Sequence, residues 1–299
     1  EEPGAGHWWD GDRAPGADCV DWPELFEFME ARQLDPLELS FRFRSPNPSY
    51  SAEHSYVRLR SAESPMTDLV LVSAESEEGE VALTTTNVRS MLLNHGALKA
   101  AGVQRLTVND EEQILGDGWV PWGPQEGKRP GVQGPFNEVF RRPFCLIIPE
   151  GEAGAAAGAV AALYTGTWSA IGNGQACTLT WPRRDLAGTR NRIYVGLPQA
   201  KVPTPENYPL RYGPQSLESR GRTHEVGAFA GVFPETFPDG ERLSAVLITP
   251  EGQEDLLYSV LPFSSRSGLP DWFLWGEDQG IGAGFMASDW SYDSALAVP

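Results

Sequence analysis

At Leu37 the apolar residues switch to a period of two, the mark of a strand with one buried face, and short runs of the same kind recur as far as Trp122. Leu37, Leu39, Phe41 and Phe43 alternate with Glu38, Ser40, Arg42 and Arg44, and the pattern stops at the turn Ser45-Pro46-Asn47-Pro48. Similar short runs recur at 56–60, 69–73, 81–86, 88–93, 106–108 and 119–122, with turn residues between them. Strands at this spacing predict a compact antiparallel β-sandwich or jelly-roll over 36–124. Gly 32 and Pro 25, scattered in short clusters, favour strands and turns over long helices.

The flanks read differently. Asp21 can cap a helix, Pro23 suits its first turn, and Glu24 completes an Asp-x-x-Glu variant of the capping box. Trp22, Leu25, Phe26 and Met29 then form one apolar face that needs a partner surface. After the sandwich, 123–131 is rich in Gly and Pro and carries charges that should keep it solvated, so it reads as a linker. Beyond it come a buried strand at 144–148, an alanine-rich helix at 152–164, strands at 176–181 and 193–197, and an apolar run at 244–248. That alternation predicts a terminal α/β layer over 125–299. Its tail, 268–275, reads as a turn into a final buried strand, and the glycines at 280, 282 and 284 as a tight turn, since no helix pattern follows them as a phosphate loop requires. The fold class expected is therefore mixed and mainly β.

Acidic residues outnumber basic ones, 41 against 23, for a formal charge of -18. No basic stripe is visible, which argues against a nucleic-acid partner. No apolar run approaches the ~18 residues of a membrane span. Lysine occurs only at Lys99, Lys128 and Lys201, a bias given no functional weight. Cys19, Cys145 and Cys177 lack the spacing of a zinc motif. Cys145 and Cys177 stand in apolar runs and read as buried strand residues, with one disulfide plus a free thiol as the alternative. Asp10, Asp12 and Asp18 miss the calcium-loop pattern and read as a solvated acidic loop. His54, His95 and His224 are scattered and read as structural, so neither metal nor cofactor is assigned. Trp119 with Trp122, and Trp272 with Trp275, fit either core packing or a stacking platform for sugars or peptides; core packing is the reading adopted.

One histidine stands apart. His7 lies in Gly4-Ala5-Gly6-His7-Trp8-Trp9, a Gly-x-Gly-His turn before two tryptophans. This segment, together with 19–28, Thr86-Asn87-Val88-Arg89, 131–136, Leu269-Pro270-Asp271-Trp272 and Ala283-Gly284-Phe285, resembles in order the secreted bacterial prolyl-oligopeptidase-like serine hydrolases. In that family an α/β-hydrolase domain precedes a long C-terminal extension. The resemblance implies that 1–35 is the end of the hydrolase domain with its last helix, and that His7 is the triad histidine, a general base for a serine. Set beside it is the reading of His7 as a loop histidine near two aromatics.

The triad order in this fold is Ser, acid, His, and no Gly-x-Ser-x-Gly elbow occurs in the chain. The nearest string has Thr167 and Ile171 where the glycines flanking Ser169 should stand. A chain that opens on Glu1 rather than Met reads as one from which an upstream segment has been removed. The expectation is the C-terminal portion of a secreted or periplasmic serine hydrolase acting on a peptide or ester. It would be inactive alone, its partner being an N-terminal segment that carries the serine. A non-catalytic binding or assembly module of an extracellular complex is the rival.

Overall fold

The computed structural model describes residues 23–33, 35–64, 69–172, 174–206, 208, 210–213, 216–219, 222–225, 227–249, 270–276 and 280–298. Helix α1, Pro23–Glu30, follows the expected start at proline, and none of its residues is buried. Asp21, Trp22 and everything before them lie outside the described residues.

Strands β1 (Phe41–Ser45), β2 (Glu53–His54), β3 (Val57–Ala62), β4 (Val70–Glu77), β5 (Glu80–Thr86) and β6 (Val88–Asn94) precede a short helix α2 (His95–Ala100). After it come β7 (Arg105–Val108), β8 (Glu111–Gln113) and β9 (Trp119–Trp122). They form two sheets, ordered β1-β4-β5-β7-β8 and β2-β3-β6-β9. Alternation decides which side chains meet. Phe41, Phe43, Val72, Leu83 and Leu106 of the first sheet share one core with Val57, Leu59, Met91 and Leu93 of the second.

The sandwich departs from expectation in two places. β5 and β7 run parallel, because β6 leaves for the other sheet and the chain returns through α2. The first strand begins at Phe41, not Leu37, because Asp35 Oδ1 accepts the Leu37 N–H at 2.9 Å and turns the chain there. Leu37 and Leu39 still pack against the core from that turn.

Downstream, a 3-10 turn at Phe136–Arg141 leads into β10 (Phe144–Ile148), helix α3 (Ala153–Ile171), β11 (Cys177–Thr180) and β12 (Asn191–Val195). Then follow β13 (Leu210–Tyr212), β14 (Ser216–Ser219), β15 (Arg222–Glu225), β16 (Ala228–Phe237), β17 (Gly240–Ile248), β18 (Trp272–Trp275), β19 (Gly280–Met286) and β20 (Tyr292–Val298). β13 to β15 make a small antiparallel sheet; the others join in one sheet ordered β11-β10-β12-β17-β16-β18-β19-β20. Its first four strands are parallel, and the rest pair antiparallel. The α/β layer therefore occupies half of a mixed sheet.

Burial on both faces explains the unbroken apolar run of β10. Ala157, Val160 and Tyr164 of α3 are buried over one face, with Trp168 set edge-on to Phe144 at 5.2 Å. Tyr208 and Tyr212 cover the other, against Phe233 and Phe229. Register places Cys145 beside Cys177 on neighbouring strands, Cα atoms 4.6 Å apart, and the two form a disulfide. The alternative reading of the cysteines is the one realised for this pair, while Cys19 lies outside the described residues.

Two expectations for the tail are corrected. β18 is not the last strand, since β19 and β20 pair beyond it. The glycines at 280–284 belong to β19 and not to a turn: a Cβ at Gly284 would stand 2.8 Å from Trp272 Cζ2, so glycine lets the indole lie across the neighbouring strand.

Candidate functional site at the junction of the two units

The residues singled out from sequence do not converge. His7 lies outside the described residues, as do Asp10, Asp12 and Asp18. His54 packs between Phe41 and Phe43, with Nε2 3.3 Å from Glu38 Oε2. His95 is buried, and its Nδ1 accepts the Gly116 N–H at 2.9 Å. Burial and the charge of Lys99 hold the His95 imidazole below its usual value. His224 stands on β15, and Ser169 is exposed on α3. Trp272 is core, whereas Trp119 is partly exposed at a sheet edge under the Arg58 guanidinium. Among the described residues no group of three or more His, Cys, Asp or Glu could hold a metal ion.

What does converge is part of the set of segments that carries the family resemblance, 86–89, 131–136, 270–272 and 283–285, whereas 4–9 and 19–22 lie outside the described residues and α1 buries none of its residues. Lys128, in the stretch expected to be a wet linker, is only 5% exposed. Its Nζ is ion-paired with Asp271 Oδ2, donates to the Met286 carbonyl at 2.6 Å, and sits 5.2 Å from the Trp290 ring centroid. Asp271 Oδ2 also accepts the Met286 N–H at 2.7 Å. The backbone N–H of Lys128 donates to the Ser288 carbonyl. The linker is thus a strap tied to the hairpin of β19 and β20, because its lysine finds a buried counterion 143 residues away.

Neighbouring contacts close the same place. Gly134 lies directly beneath Asp271: a Cβ there would fall 1.3 Å from Asp271 Oδ1. The Phe136 N–H donates to the Pro270 carbonyl. Gln133 donates to Asn47 in the turn after β1, and Ser288 Oγ donates to the carbonyls of Ala62 and Glu63 in the sandwich. Asn87, at φ 56°, holds the chain of Ser64 through its side-chain amide. A cavity of about 30 Å³ remains between the units, lined by Asn47, Gln133, Asp271, Phe285 and Ser288 among others. Asp271 Oδ1 has no hydrogen-bond partner among the described residues, and such a space admits an ordered water.

A larger cleft opens beside this junction. Its volume is about 370 Å³, and Gly127, Pro203, Pro205, Pro234, Glu241 and Trp290 are among its walls. Glu235 and Asp289 also reach it. Glu235 is almost fully buried; it accepts from Arg192 Nη1 at 2.6 Å, Ser244 Oγ at 2.6 Å and the Tyr194 hydroxyl at 3.0 Å. Burial, joined by the Glu235 charge, pushes the Tyr194 hydroxyl far up, so it stays a donor. Glu241 accepts from Arg129 Nη2 at 2.7 Å, and Asp289 accepts from Ser291, which holds its carboxyl below the usual range. Trp290 occupies the left-handed region at φ 68°, a strain on the order of 1–3 kcal/mol for a residue with a Cβ. Its indole Nε1–H is buried with no acceptor among the described residues, a further cost of about 1–3 kcal/mol.

None of Lys128, Glu235, Asp271 or Trp290 stands out as functional from sequence patterns alone. The usable signal was Lys128, a lysine in a chain whose cations are otherwise mostly arginine. Compared with family models, curated proteins and solved structures, the chain has no significant match. Among the described residues no helix is long and apolar enough to cross a membrane.

Proposed function

We propose that the chain is the C-terminal portion of a secreted or periplasmic serine hydrolase of the prolyl-oligopeptidase-like type, a peptidase or esterase. In it His7 is the general base, and a preceding hydrolase segment supplies the nucleophile. The observation that carries this reading is the junction itself. Segments 86–89, 131–136, 270–272 and 283–285, chosen for their family order, are far apart in sequence yet lie around one buried ion pair.

Three further features agree. The Cys145–Cys177 disulfide suits an oxidising compartment. Phe26 and Met29 of α1 are exposed, as the last helix of a hydrolase domain would be without the sheet of a preceding hydrolase segment against it. His54 and His95 make their polar contacts to Glu38 and to a backbone N–H, an arrangement for structure rather than for activating a serine.

The test is labelling by a fluorophosphonate probe. This chain alone should take no label. A native preparation should show label on a polypeptide carrying a Gly-x-Ser-x-Gly elbow, and His7→Ala in the complete enzyme should lower turnover by about 10³-fold or more. Label on this chain alone, or turnover unchanged by His7→Ala, would reject the reading. The cleft of about 370 Å³ favours the rival, a binding module, and the two readings are compatible in a single extension.

A further inference from the structure

Three arginines gather where the strap crosses the sandwich. Val57 and Leu59 of β3 are buried in the core, so Arg58 and Arg60 alternate onto the outer face of the same sheet. Arg60 also sits in a β-bulge, because Leu59 pairs with Met91 and Ser61 with Ser90, which leaves Arg60 as the extra residue on its strand. Bulges re-aim a side chain and are frequent beside sites. The strap supplies the third guanidinium. It starts at Gly123, so close to β6 that a Cβ there would stand 2.2 Å from the Arg89 carbonyl oxygen, and it carries Arg129 farther along.

Carboxylates answer only two of the three. Arg58 pairs with Glu53 at 2.5 Å and Arg129 with Glu241 at 2.7 Å. The Arg60 Nε–H is buried with no acceptor among the described residues. Burial, then the charges of Arg129 and Arg58, hold its guanidinium below the usual value, and no described carboxylate offsets them. In a chain of formal charge -18 this is a local reversal of sign. Three cations against two carboxylates leave one positive charge, which calls for a monoanion. A planar carboxylate matches the guanidinium fork. The same outer face offers an apolar floor. Arg58 is in register with Leu92, and Leu92 with exposed Pro121. Trp119, two positions from Pro121 and 36% exposed, lies 4.5 Å below the Arg58 guanidinium. The geometry points to a carboxylate-binding site centred on Arg60 and flanked by Arg58 and Arg129. Its ligand is a small organic acid or a peptide C-terminus whose apolar body lies over Leu92, Pro121 and Trp119. The site is composite, two cations coming from the sandwich and one from the strap. The inference concerns this chain by itself and does not depend on the hydrolase reading.

Calorimetric titration of the chain with phenylpropionate and with acetyl-Gly-Phe, each beside its neutral amide, tests it. One or both acids should bind saturably, more weakly as salt is raised, and the amides should not bind. Tighter binding of the dipeptide assigns the site to a peptide C-terminus; equal or tighter binding of phenylpropionate assigns it to a free acid. Arg60→Gln should weaken the acids by about tenfold or more, and Arg60→Lys, which keeps the charge without the fork, by about threefold or more. Arg129→Gln, in the strap, should weaken them by about threefold or more and remains informative if the Arg60 variants fail to fold. Lys99→Gln, at a cation paired with Asp117 elsewhere on the sandwich, should leave the affinity unchanged. The proposal is overturned by the absence of saturable binding at about 10 mM acid, by equal binding of acid and amide, by an unchanged affinity in Arg60→Gln or, if that variant fails to fold, in Arg129→Gln, or by an equal loss in Lys99→Gln.

Discussion

Asp271 ties together segments that are far apart in the sequence. It is fully buried, with Oδ2 shared between an ammonium and a backbone N–H, and Oδ1 seated against Gly134. A buried pair of this kind adds little net stability, since desolvation offsets much of the attraction, but breaking it on one side is costly. Asp271→Asn should therefore lower stability by about 3–5 kcal/mol, because Lys128 stays buried without a counterion. Adding Lys128→Met should restore at least about half of that loss. Urea unfolding of wild type, single and double variants reads the coupling; equal losses in the single and double variants would show that the charge on Lys128 is not what Asp271 compensates. Gly134 belongs to the same constraint. No side chain can be added there without displacing the carboxylate.

At the scale of elements, the strands at the margins depend on special devices. Among the described residues β11 pairs only with β10, at the edge of the sheet, and the Cys145–Cys177 bond fastens it there across 32 residues of sequence. Chain-entropy arguments assign such a closure about 3–4 kcal/mol. Replacing both cysteines by alanine should lower the unfolding free energy by that amount or somewhat less, with hydrogen exchange rising first in β11 and the end of α3. Helix α2 carries a pH dependence of its own. His95 opens it, takes a hydrogen bond from Gly116 as a neutral ring, and has its pKa depressed by burial first and by Lys99 second. A depressed histidine contributes stability that is present above its unfolded value of about 6.5 and is lost as pH falls through its folded value. Thermal midpoints should thus fall from pH 7 to pH 5. In His95→Leu that slope should flatten, at a cost of about 1–3 kcal/mol at pH 7 from the unanswered Gly116 N–H.

For the whole molecule, periodicity carried the sandwich well and the C-terminal sheet less well. Alternation at 56–60, 81–86 and 88–93 corresponds to β3, β5 and β6 within a residue or two, because one face of each is buried and the other wet. β2 and β8 are too short and polar to show a period, and β19 was hidden by glycines whose role depends on an indole from the next strand. The junction was illegible for a related reason. Nothing local to Lys128 announces Asp271, and charge in a Gly and Pro context reads as solvated until the distant partner is known. His7 lies outside the described residues, so the candidate site rests on groups that sequence spacing does not join. Order of synthesis gives the junction one more meaning. Lys128 leaves the ribosome 143 residues before Asp271, and the carbonyl of Ala62 waits 226 residues for Ser288. The sandwich can assemble its own core early, yet its seam stays open until the last hairpin arrives. A chain cut short near its C-terminus would therefore betray itself more than two hundred residues upstream, at an unclosed surface that a protease could reach.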